Sequence, residues 1–260
     1  SGNLRNIAVI GAGLMGHGIA LTFARAQYAV CVYDPVADSL KTLKSRISDS
    51  LIGLGVHADD IPAIIARVTL CENLSDAVTN ADMVVEAAPE KLPLKQQIFA
   101  DVEALAPAHC ILASNTSVIP ITSIMENLKD RSRALGTHWW NPPHMIPLVE
   151  VIRTQWTTDA AMDQMVSVLS GIGKHPVRVE KDVPGFIGNR LQHALWREAI
   201  SLVENGVCSA EAVDSVIKSS FGRRLAVLGP LENADLVGTD LTLDIHNNVL
   251  ADLEASGAPS

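Results

Sequence analysis

His138 is followed twelve residues later by Glu150, and a neutral imidazole backed by a carboxylate is a general base suited to physiological pH. Such a pair removes the hydroxyl proton of an alcohol while hydride leaves its carbon. The carboxylate holds the second ring nitrogen and stabilises the imidazolium that forms. Far upstream, Gly11-Ala12-Gly13-Leu14-Met15-Gly16 has the G-x-G-x-x-G spacing of a dinucleotide-binding turn. Together the two segments imply alcohol oxidation with a nicotinamide cofactor. Neither is sufficient alone: many histidines are structural, and glycine turns also occur in folds that bind FAD, a methyl donor or no ligand.

The elements around these residues strengthen the reading. The glycine turn follows the apolar run Ile7 to Ile10, opens a helical stretch from Met15 to Ala26, and precedes a second apolar run, Ala29 to Tyr33, that ends in Asp34. In that context Gly11 serves the tight turn, Gly13 lets the main chain approach a pyrophosphate, and Gly16 lets helix and strand pack closely. Leu14 and Met15 begin the helix whose free N–H groups would meet the phosphates. Asp34 is placed to accept hydrogen bonds from adenosine ribose hydroxyls and to repel a 2'-phosphate, so NAD is expected rather than NADP. His138 comes directly after the apolar run Ala134 to Thr137, at a strand end of the kind that gathers around ligands in open α/β sheets. The other seven histidines, His17, His57, His109, His144, His175, His193 and His246, are assigned no chemistry.

Five short runs, Ile7 to Ile10, Ala29 to Tyr33, Met83 to Val85, Ile111 to Ala113 and Leu135 to Thr137, alternate with helical patterns and predict a parallel, doubly wound sheet. Residues 36–66 predict a polar helical arm broken near Gly53 and Gly55, the kind of excursion that often serves a ligand. Leu148 to Ile152 and His175 to Val179 predict two more strands flanking a helix from Asp159 to Ile172. At Lys181-Asp182-Val183-Pro184-Gly185 the rhythm changes to helices over Phe186 to Asn205 and Ala210 to Ser219, the second capped by Ser209. A dinucleotide-binding domain over residues 3–182 and a helical domain over 183–260 are therefore expected.

The 260-residue chain, 48% hydrophobic and 19% charged, has the material for a large apolar core. Its formal net charge of −9 argues against nonspecific binding to nucleic acid or anionic membranes. No apolar run approaches the ~18–20 residues that span a bilayer. Cys31, Cys71, Cys110 and Cys208 lack metal-ligand spacing, which predicts reduced thiols in a cytoplasmic protein. Ser1-Gly2 reads as a cleavage scar and is excluded from the fold reasoning.

The chain resembles the L-3-hydroxyacyl-CoA dehydrogenase family. The resemblance runs in order through the glycine turn, Val84-Val85-Glu86-Ala87, Ala113-Ser114-Asn115-Thr116-Ser117, His138-Trp139-Trp140-Asn141-Pro142, Leu148-Val149-Glu150-Val151 and Asp182-Val183-Pro184-Gly185-Phe186-Ile187-Gly188-Asn189-Arg190. It extends to Gly229-Pro230-Leu231 and Asp235-Leu236-Val237-Gly238. It implies an α/β protein, a Rossmann-type doubly wound sheet followed by a smaller all-helical domain through which the family dimerises. It also implies His138 as base, Glu150 as its orienting carboxylate, and Ser117 and Asn189 as partners of the substrate oxygen. Closure of the helical domain would then bring Asn189 into the site and exclude water.

Glu90, Lys95 and Asn115 match family positions around the cofactor's ribose and nicotinamide. On their own terms Glu90 and Lys95 are equally a solvated pair at a helix start, and Asn115 a turn residue. Trp139 and Trp140 are expected to pack as walls. The implied substrate is a 3-hydroxyacyl group carried as a CoA thioester, whose phosphates Lys41, Lys44 and Arg46 would answer unless they form one solvated helix face. Pro142-Pro143-His144 resembles side branches that act instead on small free hydroxy acids, sugar acids or ring-borne alcohols and aldehydes. A noncatalytic nucleotide-binding protein is the alternative from another class. The family runs on beyond the equivalent of Ser260 through further helices, which leaves the expected homodimer less firmly implied.

Overall fold

The computed structural model describes residues 4–260, and in it the apolar runs assemble into one eight-stranded sheet. Its strands are β1 (Asn6–Ile10), β2 (Ala29–Tyr33), β3 (Val68–Cys71), β4 (Met83–Glu86), β5 (Ile111–Ser114), β6 (Ala134–Trp139), β7 (Leu148–Ile152) and β8 (His175–Val179). They lie in the order β3-β2-β1-β4-β5-β6-β7-β8. The helices between them are α1 (Leu14–Arg25), α2 (Ala37–Lys41), α3 (Leu43–Gly53), α4 (Ile61–Ala66), α5 (Leu74–Val78), α6 (Leu92–Leu105), α7 (Ile121–Met125) and α8 (Asp159–Gly171). After β8 come α9 (Gly188–Glu204), α10 (Ala210–Ser219), α11 (Pro230–Val237) and α12 (Thr239–Val249), with no strand among the described residues.

The strands in the middle of the sheet are apolar on both faces because helices cover both: all four residues of β4 and of β5 are buried, as are Ile7 to Ile10 of β1. One core lies against α1, the 36–66 arm and α8; the other lies against α5, α6 and α7. The strand order reverses between β1 and β4, and that switch point is where open α/β sheets form their ligand crevice.

Three features depart from the sequence reading. First, β7 runs antiparallel to β6. Residues 140–147 are too few for a crossover helix, so the chain returns beside the strand it has just left. Second, β3 forms an edge strand that the hydrophobic pattern did not mark. It has four residues, and Thr69 among them is exposed, too short a run to show a period. Third, the arm is not a polar excursion: Leu40, Leu43, Ile47, Leu51, Ile61 and Ile64 belong to the same core as Ile7, Val9 and Phe23. The 43-47-51 spacing is one face of α3, and its apolar content is diluted by the polar residues opposite.

The chain divides into two compact units between Ile187 and Gly188, beyond the 182/183 division read from the sequence rhythm. Residues 182–187 fold with the sheet: Asp182 accepts from the Thr122 N–H at 2.6 Å, Phe186 is buried in the second core, and the Ile187 N–H donates to Glu150 at 2.8 Å. The second unit is all-helical, and Ser209 caps α10 by accepting from the Ala212 N–H at 3.2 Å.

Candidate active site

The twelve-residue spacing of His138 and Glu150 is a hairpin spacing: the two residues are direct cross-strand partners on β6 and β7. Cross-strand neighbours share a face, so the imidazole and the carboxylate meet with little side-chain rearrangement. His138 Nδ1 lies 3.0 Å from Glu150 Oε1, and Nε2 lies 3.2 Å from the Ser117 hydroxyl on the loop after β5. His138 and Glu150 are 4% and 1% exposed, so water competes little for these contacts.

Glu150 is surrounded by donors. Trp140 Nε1–H donates to Oε1 at 3.2 Å and the Ile187 N–H to Oε2 at 2.8 Å. A carboxylate so placed is an acceptor, so His138 presents its proton at Nδ1 and a lone pair at Nε2, toward Ser117. The His138 ring is flanked by Trp140 and Phe186, each with its centroid 5.4 Å away. Trp140 is therefore more than the wall the sequence reading made it, whereas Trp139, 2% exposed and packed near Phe23, is one.

On β4 and β5 a second polar cluster is built around Glu86, a residue not singled out from the sequence. Its Oε1 accepts from the Ser114 hydroxyl at 2.6 Å; its Oε2 accepts from the Ala88 N–H at 2.7 Å and from Lys95 Nζ at 2.6 Å. Lys95 is fully buried rather than solvated, and its ammonium also donates to Ala88 O at 2.9 Å and reaches Glu90 Oε1 at 3.1 Å. Glu90 is exposed at the crevice, where its Oε2 accepts from the Thr116 hydroxyl at 2.8 Å. Asn115 Oδ1 accepts from the Trp139 N–H at 2.9 Å, which ties the side chain just beyond β5 to the end of β6. The sequence signal for this cluster is an acid closing the otherwise apolar run Met83-Val84-Val85, with a lysine nine residues on.

At the switch point the glycine turn takes up a dinucleotide-binding shape. Gly11 has φ +110°, and a Cβ there would lie 2.5 Å from Ala87 O; one on Gly16 would lie 1.8 Å from Gly11 O. A Cβ on Gly13 would meet nothing within 4 Å, which leaves open space in front of the turn. The N–H groups of Gly13, Leu14 and Met15 find no acceptor among the described residues, so the positive end of α1 faces that space. The Asp34 carboxylate accepts from the Ala12 N–H at 2.7 Å and the Val36 N–H at 2.8 Å, which holds it at the rim of the turn. These free donors and the open approach fit a dinucleotide pyrophosphate. Asp34 stands at the end of β2, on one side of the switch point; Glu90, Asn115 and Ser117, which follow β4 and β5, and His138 of β6 are on the other. Asn189 is the second residue of α9, in the other compact unit.

Comparison with known proteins identifies the family. The model of the 3-hydroxyacyl-CoA dehydrogenase NAD binding domain matches residues 6–183, and that of the 3-hydroxyacyl-CoA dehydrogenase C-terminal domain matches residues 185–259. A 5-formyl-3-hydroxy-2-methylpyridine 4-carboxylate 5-dehydrogenase of Mesorhizobium japonicum is 36% identical over 96% of this chain and 81% of its own. A crystal structure of an enzyme of that activity, described as an NAD+-dependent dismutase, superposes with a TM-score of 0.90 at 35% identity, covering 99% of this chain and 84% of the other. An L-carnitine dehydrogenase of Streptomyces griseus is 38% identical over 91% of this chain and 70% of its own. The human mitochondrial hydroxyacyl-coenzyme A dehydrogenase is 36% identical over 92% and 78%. The glycine turn, the reversal of the sheet and the two successive family matches lead to one conclusion: the chain belongs to the 3-hydroxyacyl-CoA dehydrogenase family of NAD-dependent oxidoreductases.

Proposed function

We propose that this enzyme oxidises a hydroxyl group on a small free acid or ring-borne alcohol, with His138 as the base. The substrate hydroxyl takes its place beside Ser117 and gives its proton to His138 Nε2. The carbinol hydrogen leaves as hydride, which NAD accepts when bound, and the carbon becomes a carbonyl. Glu150 keeps the Nδ1–H aimed at itself and stabilises the imidazolium as the second proton arrives. Ser117 holds the substrate oxygen; Glu90, Asn115 and Asp34 position the cofactor. The observation that carries this reading is the line of contacts from Glu150 Oε1 through the imidazole to Ser117 Oγ, 3.0 and 3.2 Å.

A free substrate is favoured over a CoA thioester by the arm. Arg46 is occupied with main-chain carbonyls of the glycine turn and of Ser39, which leaves only Lys41 and Lys44 among the arm's candidate phosphate ligands. The pyridine-carboxylate and carnitine relatives support the same direction. A 3-hydroxyacyl-CoA thioester is the second reading, favoured by the human relative and by Lys41, exposed on the arm. A homodimer formed through the helical unit completes the proposal. So does a reducing compartment, the cytoplasm, which suits the four free cysteines.

The test is NADH formation across 3-hydroxybutyryl-CoA, 3-hydroxybutyrate, L-carnitine and pyridine-ring alcohols. A free acid or ring alcohol should exceed the thioester in kcat/KM by about tenfold or more; the reverse order overturns the substrate assignment. His138→Gln should lower kcat by roughly 10²- to 10⁴-fold with NAD affinity retained. Undiminished turnover would remove the base from the scheme.

A further inference from the structure

Arg46 reaches from α3, 33 residues along the chain, to the underside of the glycine turn. Its Nη2 donates to Ala12 O at 2.5 Å and to Ser39 O at 2.8 Å, its Nη1 lies 3.5 Å from Gly13 O, and its Nε donates to the Thr42 hydroxyl at 3.2 Å. All these acceptors are neutral, and no ion pair involves Arg46 among the described residues. A guanidinium with no ion-pair partner among the described residues is thus half-buried against the glycine turn.

We propose that Arg46 is a positioning residue for the dinucleotide, acting through the peptide planes of the turn. In a trans peptide the C=O and N–H point in opposite directions. Ala12 O belongs to the peptide whose N–H is that of Gly13, so holding the carbonyl down on Arg46 turns the Gly13 N–H outward. The weaker contact to Gly13 O does the same for the Leu14 N–H. The carbonyl of Ala12 receives no bond from α1, whose first main-chain bond across the turn is from the His17 N–H to Gly13 O at 3.0 Å. Arg46 therefore supplies the partner this carbonyl lacks and adds a full positive charge behind the donors, where the pyrophosphate brings two negative charges. Asp34 holds the neighbouring peptide from the other side through the Ala12 N–H.

The experiment compares Arg46→Met and Arg46→Lys with the parent enzyme, measuring affinity for NAD, ADP and adenosine at low and moderate salt, and kcat at saturating NAD. Arg46→Met should weaken NAD and ADP by roughly 10- to 100-fold, leave adenosine almost unchanged, and flatten the salt dependence of ADP binding. Turnover at saturation should stay within about twofold, because the residue acts on cofactor binding and not on the base. Arg46→Lys, which keeps the charge without the planar fork, should fall between the two. Equal losses for adenosine and ADP would show a general collapse of the pocket and overturn the proposal, as would unchanged NAD affinity. Full affinity in Arg46→Lys would overturn the role of the fork.

Discussion

The Lys95 ammonium has three N–H bonds and three oxygens within 3.1 Å, those of Glu86, Ala88 and Glu90, so no donor remains for a ligand. Glu90 is the exposed member of the cluster, so in the proposed scheme the cofactor meets Glu90 rather than Lys95. Removing the cation leaves Glu86, 0% exposed, as a buried charge with no counterion. Lys95→Met should therefore destabilise the fold by about 3–5 kcal/mol, read as a lower urea midpoint. Adding Glu86→Gln to Lys95→Met should recover part of that loss; a double variant no better than the single one would show that the charge is not the cause. The contrast with His138 and Glu150 shows what a sequence displays at this scale. Those two stand inside apolar strand patterns, and their spacing is a property of the hairpin itself. Lys95 and Glu90 look like any charged pair at a helix start, because Glu86, the buried partner of Lys95, comes from the end of β4 and leaves no local period.

At the scale of elements, α1 and the loop after β6 meet at a seam of two histidines. A Cβ on Gly18 would lie 2.5 Å from Pro143 and 3.0 Å from His144, so the loop rests directly on the helix backbone. His17 Nδ1–H donates to Leu14 O at 2.6 Å and its Nε2 accepts from the Ser50 hydroxyl at 3.0 Å, an arrangement for the neutral ring. Its ring stands 5.6 Å from that of His144. Burial holds the His17 pKa below its ordinary value, with Arg46 adding to the effect; burial, then His17 and Lys174, hold that of His144 down as well. The unfolded chain thus binds protons more readily than the folded one below about pH 6.5, and stability falls as pH drops from there. Thermal melts between pH 7 and 5 should show this decline, and His144→Gln should make it shallower, since each such histidine contributes at most about 1.4 kcal/mol per pH unit. Superimposable profiles would refute it. The strands of this unit were legible from runs such as Met83-Val84-Val85. The seam was not, because His17 faces α3 and the 142–147 loop only after the sheet has brought them together, and the arm's core face was hidden by the polar residues that alternate with it.

At the scale of the whole chain, the two units differ in how completely each satisfies its own side chains. The sheet unit buries two apolar cores, whereas no residue of α9, α10, α11 or α12 is buried. Val227, Leu231 and Leu236 are 85%, 82% and 74% exposed. On α9 the exposed side chains of Leu191, Leu195, Trp196, Ile200 and Val203 follow a helical period, an apolar stripe of the kind that helices bury against one another. Leaving apolar surface in water costs about 25 cal/mol per Å², and an exposed apolar stripe is a candidate association site. A second copy is the partner expected from the family resemblance. Sedimentation at micromolar concentration should give a dimer whose Tm rises with protein concentration, because assembly stabilises the folded state by mass action. Leu195→Asp combined with Ile200→Asp should shift it to monomer and abolish the concentration dependence; a monomeric parent would exclude self-association as the role of this surface.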